Sequence, residues 1–246
     1  MLKIHDATRK FGGLTAVNQV SFGVDAQEIL GVIGPNGAGK TTFFNLVSGA
    51  IPLSSGQIVF NGVNTGGMAP HRIAHLGIGR TFQIVRPFGE LTVLENAMAG
   101  IGSRFCTNFV RSLGLYQRRL HLDEARELLS RTHLLPYQNE TARNLPLGLL
   151  RRLEIARALA LRPKLILLDE SFSGLSHKEA ASLVDLVREL RRDGMTVLLI
   201  EHNMQITMDL CDRLVVLDRG QKIAEGLPAS VRNDERVIAA YLGNDD

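Results

Sequence analysis

The segment GPNGAGKT, Gly34 to Thr41, carries the spacing of a phosphate-binding loop: a glycine, four residues, a second glycine, a lysine and a hydroxyl residue. Glycines at those places let successive backbone N–H groups turn inward onto phosphate oxygens, and a helix starting at the lysine adds the positive end of its dipole. In that chemistry Lys40 reaches the β- and γ-phosphates and the Thr41 hydroxyl ligates Mg²⁺. The nucleotide-binding set read from the loop is Gly34, Pro35, Asn36, Gly37, Ala38, Gly39, Lys40, Thr41 and Thr42. A glycine-rich turn with no ligand is the bland alternative. Against it, the whole pattern lies between a strand-like run, EILGVIG, and the helix-like continuation TTFFNLVSGA, as a phosphate loop requires.

Such a loop needs a carboxylate at the end of a buried strand. LILLDE, residues 165–170, supplies one, with Asp169 placed to hold Mg²⁺ through water and Glu170 to orient or deprotonate the attacking water. Alone, an apolar run ending in two acids is commonplace and reads as a strand end; beside the phosphate loop it points to nucleotide hydrolysis. No base-reading N-K-x-D stretch of the GTPase kind occurs, so ATP is the expected nucleotide.

These residues need elements to carry them. Strand-like stretches open the chain at LKIHDA and VNQVSFGV, and GQIVFNG follows the phosphate loop. From Leu91 to about Leu161 the pattern turns helical, in LTVLENAMAG, HLDEARELLSRTHLL and LRRLEIARALAL. The apolar runs at 165–168 and 196–200, separated by the amphipathic KEAASLVDLVRELRRDG, predict a βαβ unit and hence a parallel sheet. The helical block does not fit in that sheet and is expected as an inserted subdomain. The stretch from Gly102 to Leu115 has too little pattern to assign.

Composition narrows the function. With 28 Lys+Arg against 25 Asp+Glu and no basic run interleaved with aromatics, nucleic acid is not an expected partner. Cys106 and Cys211 lie far apart without metal or redox spacing, which suits a reducing cytosol and no structural disulfide. No run reaches the ~18 apolar residues of a membrane span, and the N-terminus lacks a signal-peptide core. Work at a membrane would therefore require docking to another chain.

Gln83 in RTFQ, the stretch RNLPLGLLRRLEIARALAL before the acidic strand, and His202 in IEH follow one another in a fixed order. With the two motifs above, the chain resembles, over essentially its whole length, the ATP-binding subunit of an ABC transporter. GIGRTFQIVRPFGELTVLENAMAG, RRLEIARALALRPKLILLDE and CDRLVVLDRGQKIAEG are most similar to the ATP-binding subunits of branched-chain amino-acid importers. The resemblance implies an α/β fold: a RecA-like phosphate-loop NTPase core with a parallel sheet, an N-terminal antiparallel β subdomain and an inserted helical subdomain. Residues 1–246 then form one ABC ATPase domain, with core and β subdomain in 1–90 and 162–246 and the helical part in about 91–161.

By position, the resemblance implies that Gln83 contacts Mg²⁺ or the attacking water, that His202 bonds the γ-phosphate, and that Phe11 stacks on adenine. An ordinary core phenylalanine is the alternative for Phe11. The catalytic set is then Glu170, His202, Gln83 and Lys40, with Thr41, Gln83 and Asp169 at the metal. ATP and Mg²⁺ are the implied cofactors. A second ATP-binding subunit, transmembrane permease subunits and, indirectly, a periplasmic substrate-binding protein are the implied partners. The implied location is peripheral, on the cytoplasmic face of the inner membrane.

One stretch departs from the pattern. The signature loop, L-S-G-G-Q in the family and often nearer L-P-Y-G-Q-Q in the branched-chain subunits, closes in trans on the γ-phosphate held by the other subunit. Here Leu145 and Gly148 keep their places, but Leu147, Leu149 and Leu150 stand where Tyr, Gln and Gln are expected, and Pro146 offers no N–H. Ser171 replaces a usual proline after Glu170, Ser176 replaces Asp or Asn in SGLS, and Asn203 follows His202 where Asp is common. Two other readings stay open: a soluble ABC ATPase outside transport, and a weakly hydrolysing regulatory subunit.

Overall fold

The computed structural model describes residues 1–81, 87–103 and 115–242. The N-terminal hairpin pairs β1 (Leu2–Phe11) with β2 (Leu14–Val24), both antiparallel, and β4 (Ser55–Phe60) and β5 (Val63–Asn64) extend it in the order β2-β1-β4-β5. A second sheet runs β10-β9-β3-β8-β7-β6, built from β3 (Ile29–Ile33), β6 (Ile78–Arg80), β7 (Leu165–Asp169), β8 (Thr196–Ile200), β9 (Arg213–Asp218) and β10 (Gln221–Gly226). Its pairings are parallel except at the β9–β10 edge.

The short apolar runs become central strands because both their faces are covered. In β7, Ile166 and Leu168 enter one hydrophobic cluster while Leu165 and Leu167 enter the other. In β8, Val197 and Leu199 part from Leu198 and Ile200 in the same way. Each such leucine or isoleucine, fully buried, contributes about 1.5–3 kcal/mol relative to exposure. One cluster fills the space against the antiparallel sheet and helix α1 (Lys40–Val47), where Phe43 packs on Phe22 at 5.2 Å between ring centroids.

The other cluster runs from the sheet into the helical block without a break: Ile33, Val93, Ala97, Leu153 and Leu168 all belong to it. That block comprises α3 (Val93–Gly102), α4 (Leu115–Arg131) and α5 (Leu147–Leu159), which follow the short α2 (Pro70–Leu76). Between β7 and β8 runs α6 (His177–Arg192), the predicted amphipathic crossover. Ser176 and Glu179 form a capping box at its start, and Leu183, Val184, Leu186, Val187 and Leu190 line its buried face. The C-terminal α7 (Met204–Leu210), α8 (Pro228–Arg232) and α9 (Glu235–Leu242) were not anticipated from the sequence. Among the described residues no helix is long and apolar enough to cross a membrane. Most of the unassigned stretch between Gly102 and Leu115 lies outside the described residues.

Candidate nucleotide-hydrolysis site

Because β3, β7 and β8 are parallel neighbours, their carboxyl ends open on one edge, and β8 lies between the other two. The phosphate loop leaves β3 there, Asp169 ends β7, and Glu201 and His202 follow β8. An edge of this kind is where ligands bind in open parallel sheets.

Two glycines force the loop into shape. At Gly34 a Cβ would stand 2.0 Å from the Leu217 carbonyl oxygen, so only glycine lets the loop pass β9. Gly39 caps α1 at φ 97°, a left-handed conformation, with the Ala16 carbonyl 2.4 Å from where its Cβ would be. The Lys40 ammonium donates to the carbonyl oxygens of Gly34 (2.7 Å) and Pro35 (2.8 Å). Burial lowers its pKa, and the nearby Glu170 opposes that shift. Pro35 and Ala38 are buried, Asn36, Gly37 and Thr41 exposed, and Thr42 half-buried. The Thr41 hydroxyl therefore stands open to a ligand.

Asp169 is buried, and Arg80 holds one of its oxygens: Nη2 donates to Oδ2 at 2.9 Å. The same guanidinium donates through Nη1 to Asn45 of α1 and to Ser48 at its C-cap, each at 2.7 Å, so one side chain joins β6, α1 and β7. Oδ1 of Asp169 has no hydrogen-bond partner among the described residues. A buried carboxylate oxygen facing no donor suits a hydrated divalent cation, a hard ion that binds oxygen and keeps several waters. Burial raises the Asp169 pKa, with Arg80 acting against it.

Glu170 sits at φ 50°, in the left-handed region that few non-glycine residues occupy. Its Oε1 lies 2.8 Å from His202 Nε2; with that nitrogen protonated, the imidazole donates to the carboxylate. The backbone N–H of Glu170 donates to the Ile200 carbonyl at 3.0 Å, so the two strand ends are joined at the backbone as well. Ser171, in place of the expected proline, is buried and places its Oγ 3.2 Å from Thr81 Oγ1. Asn203 caps α7 by accepting the Ile206 N–H at 3.2 Å, a task that Asp would also perform.

Phe11 is 44% exposed at the β1–β2 turn, which disposes of the core alternative. Arg9 covers one face of its ring, with Cζ 4.5 Å from the centroid. Gln83 lies outside the described residues.

The leucine-rich mouth of α5 is built differently. Its N-cap is Pro146, with no side-chain cap; the Leu149 and Leu150 N–H groups bond back to the Pro146 carbonyl at 3.1 and 3.0 Å. Leu145 is buried in the core, Leu149 and Leu150 pack half-buried against it, and Leu147 is 37% exposed. Glu179, from the cap of α6, lies close beside Gly148: a Cβ there would stand 2.8 Å from its Oε1. The polar group nearest this first turn thus comes from another helix. Arg80 and Glu179 escaped the sequence reading because their partners are distant in the chain, and nothing local marks them.

Loop, strand end and sheet edge together define an α/β phosphate-loop nucleotide-binding protein. Comparison with known proteins makes the class narrower. Residues 17–173 match the ABC transporter family, and residues 221–246 match the branched-chain amino acid ATP-binding cassette transporter family. BraF of Pseudomonas aeruginosa, a high-affinity branched-chain amino acid transport ATP-binding protein, is 40% identical, over 99% of this chain and 98% of its own length. LivG of Escherichia coli, of the same description, is 41% identical with the same coverage. The crystal structure of the ADP conformation of an ATP-binding cassette of an ABC transporter superposes with a TM-score of 0.88, at 31% identity and over 99% of each chain. The chain belongs to the ABC transporter ATP-binding family.

Proposed function

We propose that this chain is the Mg²⁺-dependent ATPase of an importer for branched-chain amino acids or related compounds. On this reading it works peripherally, on the cytoplasmic face of the inner membrane, with transmembrane permease subunits, a second ATP-binding subunit and, indirectly, a periplasmic binding protein. The whole chain acts as one ATPase domain, with residues of about 91–161 as its helical subdomain. The match of the C-terminal segment to the branched-chain cassette family and the described function of BraF and LivG support the substrate class.

The observation that carries the hydrolytic reading is the meeting of Lys40, the Asp169 Oδ1 that has no partner among the described residues and the Glu170–His202 pair at one sheet edge. Inward-facing amides of Gly34–Thr42 hold the phosphates, and Lys40 leaves its loop carbonyls to pair with the β- and γ-oxygens. Thr41, Asp169 and Gln83 would hold Mg²⁺, which supplies charge neutralisation at the transferring phosphoryl group. Glu170 orients the attacking water and accepts its proton. His202 steadies Glu170 and donates to the developing charge on the γ-phosphate. Phe11 offers the ring face away from Arg9 to adenine.

The α5 mouth favours a qualification of that reading. Leucines at 147, 149 and 150 cannot bond a phosphate, and losing a bond to a charged group costs ~1.5–3 kcal/mol. In a heterodimer, this chain's own phosphate site would be completed by the partner's signature, while its own α5 would weaken the partner's site. ATP turnover of the wild-type chain beside Leu149→Gln, with Glu170→Gln as the blank, tests this. A wild type at the blank and a rise in Leu149→Gln give an impaired signature. Equal turnover in both, above the blank, gives an ordinary transport ATPase whose backbone contacts suffice. Wild type at the blank with no rise favours a regulatory subunit.

A further inference from the structure

Three ionisable side chains lie buried behind the nucleotide edge, and the reaction described above uses none of them. They are Glu201 at 3% exposure, Arg151 at 6% and Glu154 at 7%. Charges so placed persist only when paired or hydrogen-bonded. Glu201 follows β8 and precedes His202. Its Oε1 accepts the Phe172 N–H at 2.9 Å, the next residue in the chain is His202, and the His202 amide acts on the same carboxyl. Phe172 stands two residues beyond Glu170. One carboxyl therefore bridges the two backbone segments that carry the Glu170–His202 pair.

Arg151 reaches the same place from the second turn of α5. It pairs with Glu154 at 3.5 Å, donates to the Ser173 carbonyl at 3.5 Å, and its charge acts on Glu201. A guanidinium there thus ties the helix behind the signature loop to the segment that follows Glu170. A hydrocarbon at position 201 would leave the Phe172 N–H without its acceptor and the two segments without a common anchor.

We propose that Glu201, steadied by Arg151 of α5, is a positioning residue for hydrolysis: it fixes the Phe172 and His202 backbones so that Glu170 and His202 meet at hydrogen-bond distance. The proposal rests on the reading of Glu170 and His202 as the hydrolytic pair. Displacements of ~1 Å in catalytic groups cost on the order of 100-fold in rate, so the expected signature is a loss of kcat rather than of affinity.

The test uses the full chain under single-turnover conditions, with Glu201→Leu, Glu201→Gln, Arg151→Met and the double variant Glu201→Leu/Arg151→Met. Glu201→Leu is expected to lower the hydrolytic rate by roughly 10- to 100-fold with nucleotide affinity within about twofold of the parent. Glu201→Gln, which keeps an acceptor for both N–H groups, should recover the rate to within about threefold. Arg151→Met should lie between, and the double variant should be no slower than Glu201→Leu, because coupled residues do not add. A parental rate in folded Glu201→Leu overturns the proposal, as does a loss shared equally by rate, affinity and folded fraction that Gln does not rescue. Should Glu201→Leu not fold, hydrogen exchange in Arg151→Met decides. Faster exchange at the Phe172 and His202 amides, with β7 and β8 as protected as in the parent, supports the proposal, and unchanged exchange overturns it. Glu170→Gln runs alongside. If it hydrolyses at the parental rate, the hydrolytic pair falls and the proposal with it; if it is inert while Glu201→Leu is unimpaired, the proposal alone falls.

Discussion

At the phosphate edge, backbone and side chains are held by specific polar bonds. Lys40 closes its own loop, Arg80 joins three elements, and Glu170 is bonded to His202. At the mouth of α5 the local chain supplies no polar side chain, the first turn bonds back onto Pro146, and the leucines lean on the core. On the proposed function both regions serve one nucleotide chemistry, the first within the chain and the second across a dimer. On that reading, polar groups on the cis side beside leucines on the trans side are what a chain working with an unlike partner would show. It is less easily understood in a homodimer, where each site would meet the weakened loop.

The harshest way to break this comparison is to disable the cis side. Glu170→Gln should lower ATP turnover by ~10²–10⁴-fold, the usual worth of a general base, while equilibrium ATP binding stays near parental. Rapid-quench hydrolysis beside fluorescent-nucleotide titration measures both. Turnover that persists would remove the polar edge from the chemistry and leave the two regions without their contrast.

Restoring the trans side comes next. Leu149→Gln adds one donor at the place where the family carries it and should raise turnover of a site closed by this loop by roughly 10- to 100-fold, the rate equivalent of one charged hydrogen bond. The residue is half-buried, so the gain will be offset in part by lost packing. A steady-state assay of the homodimer, then of any heterodimer, would locate the effect. No gain would mean that the Gly148 amide and the helix dipole suffice.

A smaller effect separates the core behind the edge from its surface. Burial pushes the Glu201 carboxyl up to about 7, with the Phe172 and His202 amides and Arg151 acting against it. The folded state therefore favours the proton. The stability this brings is fully present below the ordinary value near 4.5 and is lost as pH rises through about 7. Between pH 6 and 8 the parent should lose on the order of 1 kcal/mol more stability than Glu201→Gln. Urea melts at the two pH values, run on both proteins, measure it. Parallel losses in the two proteins would show that another group titrates.

Residues that work through their neighbours in sequence were legible, and residues that work through distant ones were not. The phosphate loop could be read because eight consecutive residues make it, and β7 and β8 because each is a short apolar run bounded by turns or charge. Asp169 and Glu170 could be read because an apolar run ends on them beside the phosphate loop, whereas His202 came only from the family resemblance. Arg80 meets Asp169 across 89 positions, and Glu201 meets Phe172 across 29; nothing near either residue reveals the contact. The helices α7, α8 and α9 span only 7, 5 and 8 residues, too short for a 3.6-residue period to stand out. The leucines at the mouth of α5 were read as a departure from the signature loop; that Glu179, 31 residues on, lies against Gly148 could not be read from them.

The last prediction concerns Ser176, which links the two regions. It stands where the family usually has Asp or Asn, which raises the question of a lost contact across the dimer. In the structure its Oγ accepts the Glu179 N–H at 3.4 Å and donates to the Glu179 carboxylate at 2.6 Å. That carboxylate is the one that lies against Gly148 of α5. Serine here is first a helix cap, and Ser and Asn cap about equally well. Ser176→Ala should therefore cost about 1 kcal/mol of stability, and Ser176→Asn no more than a few tenths. Because the same bonds steady Glu179 against α5, Ser176→Ala should also speed hydrogen exchange at Gly148, while exchange in Gly34–Thr42 stays as in the parent. If Ser176→Asn instead leaves stability alone and raises turnover, the residue acts across the dimer. The reduced chemistry of the trans side would then extend beyond the leucines to the cap of α6.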